Sequence, residues 1–207
     1  MGVIIFLFKI LIVTLLSTTQ IFAKEKLHIL YDKESGLQLS LPGSMIVDNN
    51  NNVRTVYNNY GNDSLIKNAR KIISFKFKDD RYYFIRADVL ISKNDVSEKA
   101  CYNSYPYINY ESFSNNEGKE VPNEILIDGH YFTYLRGSDN AMSHLYGADT
   151  YRGIINGKCV FFDIYSNITS PDAYIDDHFL IKHIWSSFHE DMITVNNIIK
   201  NVKFDCH

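Results

Sequence analysis

Two dipeptides constrain this chain more than any other feature. Asp128-Gly129 separates residues 124–127 from residues 130–135, and Asn156-Gly157 separates residues 151–155 from residues 158–165. A two-residue hairpin loop of type I′ needs positive φ at both central positions, and Asp-Gly and Asn-Gly meet that need at little steric cost. Each dipeptide therefore predicts a pair of antiparallel strands. Beyond the second loop, Val160, Phe162 and Ile164 share one strand face while Cys159, Phe161, Asp163 and Tyr165 share the other. Both faces are partly apolar, which predicts a central strand whose second side is covered by a helix.

Further elements follow from periodicity. Leu37, Leu39 and Leu41 alternate with Gln38 and Ser40 between Gly36 and Pro42, the pattern of a half-buried strand. Ile73, Phe75 and Phe77 alternate with Ser74, Lys76 and Lys78, and residues 82–91 continue in strand-like composition beyond Asp79-Asp80, giving another hairpin. The Asn-rich stretches 48–52 and 58–63 read as loop around a short strand at 53–57. Near the C-terminus, Ser170 suits an N-cap, Pro171 the first helical position and Asp172 the positive end of the helix dipole. Leu180, Ile184 and Phe188 then form a stripe that packs on the sheet. A second helix is expected at 191–199, with Met192, Val195 and Ile199 on one side, and residues 201–204 close the domain. The expected fold class is α+β, an antiparallel β-sheet built of hairpins and covered by helices.

Residues 3–16 are apolar apart from Lys9 and Thr14, and a polar stretch then leads through Ile21-Phe22-Ala23 to the charged Lys24. This reads as a signal peptide over residues 1–23, followed by a single exported domain over residues 24–207, with an uncleaved anchor as the competing reading. After cleavage no membrane span is expected, and the destination is the periplasm or the medium. The formal net charge is −3 and there is no Lys/Arg cluster, so no nucleic-acid partner is expected. In an oxidising compartment Cys101, Cys159 and Cys206 predict one disulfide and one leftover thiol, with three pairings open.

Enzyme motifs are absent: there is no G-x-S-x-G, H-E-x-x-H, P-loop or G-x-G-x-x-G, and nothing points to a cofactor. His178, His183 and His189 with Asp172, Asp176, Asp177, Glu190 and Asp191 are the densest group of potential metal ligands. No two of these His have the three- or four-residue spacing that puts both on one helix face, so a solvated helix face is the expected role. Tyr102, Tyr105, Tyr107, Tyr110 and Phe113 surround Pro106 among Asn and Ser, a mixture of flat rings and polar partners that suits a protein or carbohydrate ligand. The competing role for these rings is cover for a sheet edge. Phe132, Tyr134, Tyr146 and Tyr151 fall on strands and read as sheet residues. Asn62-Asp63-Ser64 and Asn167-Ile168-Thr169 match the glycosylation acceptor pattern and would mark exposed loops in a eukaryotic product.

Gly36-Leu37-Gln38-Leu39-Ser40-Leu41-Pro42 after Tyr31, the hairpin-rich middle, Gly157-Lys158-Cys159-Val160-Phe161-Phe162, and Ile198-Ile199-Lys200-Asn201-Val202-Lys203-Phe204 together resemble the PsbP-like superfamily. The resemblance spans about residues 27 to 204 and implies an antiparallel sheet sandwiched between helices, in a small exported bacterial protein without shared catalytic residues. The expected function is an exported, non-catalytic accessory or binding protein. The alternative is a secreted hydrolase or metal-dependent enzyme with a His/Asp site assembled in space. Cleavage after Ala23 predicts that mass spectrometry of the exported protein finds Lys24 as its first residue; an intact N-terminus contradicts it.

Overall fold

At both hairpin loops the backbone passes through the left-handed region. In the computed structural model φ is 48° and 83° at Asp128 and Gly129, and 51° and 81° at Asn156 and Gly157, as a type I′ turn requires. The structure describes residues 27–48, 64–77, 82–104, 110–111, 123–141, 143–171 and 175–205. In chain order the elements are β1 (Leu27–Asp32), β2 (Leu37–Pro42), β3 (Met45–Asp48), α1 (Ser64–Lys67), β4 (Arg70–Phe77), β5 (Tyr83–Ile91) and α2 (Glu98–Tyr102). They continue as β6 (Tyr110–Glu111), β7 (Asn123–Ile127), β8 (His130–Ala141), β9 (His144–Ile155), β10 (Lys158–Thr169), α3 (His178–Lys200) and β11 (Lys203–Phe204). Among the described residues no helix is long and apolar enough to cross a membrane.

The strands form two sheets, antiparallel throughout. The larger has the order β3-β4-β5-β10-β9-β8-β6, with β7 also paired to β8, and the smaller has the order β1-β2-β11. β10 is central, as its two apolar faces predict. On the first face, Phe75, Val89, Val160, Phe162 and Ile164 join Leu37, Leu39 and Leu41 of β2 and Val195, Ile198 and Ile199 of α3 in one buried cluster. On the second face, Phe161 and Tyr165 join Ile66 of α1 and Cys101 of α2. Phe132 lies over Gly153 in this packing. A β-carbon at Gly153 would come within 2.6 Å of the Phe132 ring, so only glycine lets that ring reach Phe162 and Phe204 at centroid distances of 5.6 and 6.0 Å.

Three expectations need correction. The C-terminal helix does not begin at Ser170 and Pro171, because β10 continues to Thr169 in register with β5 and β9. Instead the Asp177 carboxylate caps α3, accepting from the backbone N–H groups of Phe179 and Leu180 at 2.9 and 3.2 Å. The two expected helices are one: α3 runs unbroken through Glu190. Asn167-Ile168-Thr169 lies within β10 and not in a loop. The expected strand at 53–57 and Asn62-Asp63 fall outside the described residues.

The second face also buries charge. Arg152 and Asp163 have no exposed side-chain surface, and Arg152 Nη1 donates to Asp163 Oδ1 at 2.5 Å. The same guanidinium donates from Nε to the Ser104 carbonyl at 2.6 Å and from Nη1 to the Tyr151 carbonyl at 2.9 Å, and it lies 5.0 Å from the Phe161 ring centroid. Ser104 follows α2, and α2 is tied to β10 by the Cys101–Cys159 disulfide, whose Cα atoms are 5.5 Å apart. This selects one of the three possible pairings; Cys206 lies outside the described residues. Closing a loop across a separation of 58 residues stabilises the fold by about 4 kcal/mol in the chain-entropy view.

At the second face, Asp163→Ala leaves the Arg152 charge buried without its carboxylate and should lower unfolding free energy by about 3–5 kcal/mol. The double substitution Arg152→Met with Asp163→Leu should recover much of that loss. Urea denaturation measures both, and a single variant within about 1 kcal/mol of the parent would show that the pair does not hold the layer.

Candidate functional site

The first face of the large sheet is apolar only over part of its length. Side chains on this face come in cross-strand rows, set by the register of β8, β9 and β10. Tyr134 stands opposite Tyr151, Arg136 opposite Asp149, Ser138 opposite Gly147, and Leu145 opposite Ile168. α3 passes over these rows and is fastened at two levels. At one, the Tyr151 hydroxyl donates to Asn196 Oδ1, and Asn196 Nδ2 donates to Asp149 Oδ2 at 3.3 Å. At the other, the hydroxyl of Tyr83, opposite Ile168 on β5, donates to Asp191 Oδ2 at 2.8 Å, and the Tyr83 ring meets Phe188 edge-on at 5.5 Å.

Between helix and sheet lies a cleft of about 680 Å³. It opens where the floor is built of small side chains, for Ser138, Gly147 and Ser166 form one row across three strands. A β-carbon at Gly147 would lie 2.5 Å from Ser166 Oγ, so glycine keeps room for that hydroxyl. The helix wall is graded. Trp185, Phe188, His189, Met192 and Ile193 line its N-terminal part, and Asn196, Asn197 and Lys200 its C-terminal part. The floor is graded the same way, from Leu145 and Ile168 at one end to Arg136 and Asp149 toward the other. β7 closes the side through Asn123, Glu124 and Ile125.

The polar end is organised by Asp149. Its side chain is almost fully buried, and it accepts Arg136 Nε at Oδ1 and Arg136 Nη2 at Oδ2, at 2.7 and 3.0 Å. The carboxylate hydrogen bonds raise the Arg136 pKa against the opposing effect of burial. About half of the Arg136 side chain remains exposed, so the pair shows the cleft a guanidinium rather than a carboxylate. Burial, reinforced by the Asp149 charge, pushes the Tyr134 hydroxyl up to about 12. The same two causes raise Tyr151, joined there by Tyr134. Both phenols are hydrogen-bonding groups rather than proton donors near neutrality.

Of the residues singled out in the sequence, Tyr102 ends α2 and is half-buried against the second-face cluster, where burial and then Glu98 and Glu124 raise its pKa. The backbone of Tyr110 pairs with Gly137 in β6. Tyr105, Tyr107 and Phe113 lie outside the described residues. His178, His183 and His189 are all exposed on α3, and His189 also lines the cleft. Among the described residues no three His, Cys, Asp or Glu side chains gather as metal ligands. The cleft residues Tyr134, Tyr146 and Tyr151 read in sequence only as strand positions; the signal that marks them is the loss of apolar alternation at Ser138 and Gly147.

No protein-family model and no curated protein matches the chain. Among solved structures it is similar to LpqN, described as involved in cell envelope biogenesis of Mycobacterium tuberculosis. That similarity has a TM-score of 0.46 and 11% identity, over 87% of this chain and 91% of LpqN.

Because Tyr134 holds its proton up to about 12 while an unfolded tyrosine loses it near about 10, the unfolded state binds fewer protons in between. The stability that Tyr134 contributes is full below about 10 and is lost as pH rises through about 12. Denaturation at stepped alkaline pH should show this decline and show it reduced in Tyr134→Phe; identical profiles would place Tyr134 in contact with solvent.

Proposed function

We propose that the protein is an exported, non-catalytic accessory or binding protein, a PsbP-like α/β/α sandwich that holds its ligand in the cleft between α3 and the large sheet. The cleft itself carries the reading. Its volume of about 680 Å³ falls within the range of roughly 300–1,000 Å³ typical of small-molecule sites, and its mixed apolar and polar lining is of the kind that orients a ligand. A disulfide between Cys101 and Cys159 supports an oxidising destination.

Binding is favoured over the alternative of a hydrolase or metal-dependent enzyme by the state of the cleft's buried carboxylate. Asp149 is engaged by Arg136 and Asn196, which makes it a fixed acceptor and not a base awaiting a substrate proton. His189 is the one His among the cleft residues. A cleft of this volume suits a small molecule better than a protein surface.

Protein purified from its natural host should release a small molecule on denaturation, seen as a mass difference between native and denaturing mass spectrometry. Ser138→Trp, which fills the floor of the cleft, should abolish that difference while leaving the thermal transition in place. A wild-type protein that carries no such mass, and whose thermal stability does not respond to host extracts, overturns the reading.

A further inference from the structure

We infer that the cleft takes a long-chain carboxylate, a fatty acid lying with its chain toward Trp185 and its head at Arg136 and Lys200; this rests on the cleft being the ligand site. The argument is the agreement between the two walls. On the sheet, the rows pass from Leu145 and Ile168 through Ser138, Gly147 and Ser166 to Arg136 and Asp149. On the helix, the order is Trp185, Phe188, His189 and Met192, then Asn196 and Lys200, so that His189 is the polar side chain within the otherwise apolar part. The contacts of Phe188 with Tyr83 and of Asn196 with Tyr151 and Asp149 set the two gradients parallel. Phe188 to Asn196 spans about 12 Å of helix, and Leu145 to Tyr151 about 20 Å of strand, so the cleft is long enough to sort an extended ligand by polarity.

The apolar end selects against a sugar. Leu145, Ile168, Phe188 and Met192 offer no strong side-chain partners for hydroxyl groups, which would be desolvated there without compensation, and Trp185 offers only its indole N–H. The polar end offers a carboxylate two cationic donors. Asp149 is buried behind Arg136, whose Nε and Nη2 it occupies, leaving the Nη1 hydrogens outside the pair. Lys200 adds a second cation in the last turn of α3, and Glu124 on β7 is the exposed anion of the lining. Across the lining Arg136 and Lys200 balance Glu124 and Asp149, and what favours a carboxylate is the donors left to it, the Arg136 Nη1 hydrogens and the Lys200 ammonium.

The chain's single tryptophan, Trp185, lines the apolar end, so its emission reports occupancy directly. Dibrominated stearate should quench it saturably, at one molecule per protein. Myristate should displace the quencher at concentrations at least tenfold below those of myristyl alcohol, and laurate, two methylenes shorter, should be about tenfold weaker than myristate. Lys200→Gln should reduce the preference for acid over alcohol severalfold without changing alcohol binding. Equal displacement by acid and alcohol, or displacement by maltose, overturns the fatty-acid inference and leaves the cleft as a ligand site. Absence of quenching while the native protein still carries a small-molecule mass overturns this inference alone. Absence of both overturns the binding reading as well.

Discussion

A guanidinium with no exposed surface must be satisfied from within, and the Arg152–Asp163 pair dictates much of the structure around it. Its Nε needs the Ser104 carbonyl, which requires α2 to be docked, and α2 is held where it is by the disulfide to β10. The pair also fixes register. β9 and β10 alternate sides residue by residue, so a slip of one position would turn Arg152 and Asp163 into the hydrophobic first face and carry Tyr151 and Ile164 out of it. The desolvation cost of such a state is far larger than any packing it could gain. A charge pair on one side of the sheet thus secures the rows of side chains that floor the cleft on the other.

Two of the Arg–Asp pairs among the described residues, both involving β9, have different outcomes. Arg152 with Asp163 is sealed, its hydrogen bonds turned toward carbonyls and its plane covered by Phe161. Arg136 with Asp149 is sealed only on the carboxylate side, and the arginine reaches open space. Exposure is what separates a structural pair from one able to meet a ligand. The phenols of Tyr134 and Tyr151, neutral well beyond physiological pH, add fixed dipoles around Asp149 without adding charge.

What was legible in the sequence followed from local chemistry. Asp128-Gly129 and Asn156-Gly157 marked the hairpins because few other dipeptides tolerate two positive φ angles, and Leu37, Leu39 and Leu41 marked β2 because one of its faces is buried throughout. The far ends of β8 and β9 were not legible. Ser138, Gly147 and Asp149 face a cleft and not a core, so the alternation that identifies a strand is missing there. Ser170-Pro171 looks like a helix start, yet pairing of β10 on both edges keeps the strand going to Thr169, and the cap falls to Asp177. The resemblance to PsbP-like proteins did not indicate a cleft, and no short motif could, since its residues come from β7, β8, β9, β10 and α3 and meet only in three dimensions.

The small sheet joins the two ends of the described chain. β1, with Leu27, Ile29 and Tyr31 exposed, pairs with β2, and β2 pairs on its other edge with β11, while the Asp205 N–H donates to the Gly36 carbonyl at 2.9 Å. Leu37 and Phe204 therefore become neighbours only after all of the chain between them has been made. A chain still emerging from the ribosome lacks the strand that completes its first sheet, along with Val195, Ile198 and Ile199 of its main core. Native structure therefore waits on this long-range closure, which makes folding slow relative to a fold held together by local contacts.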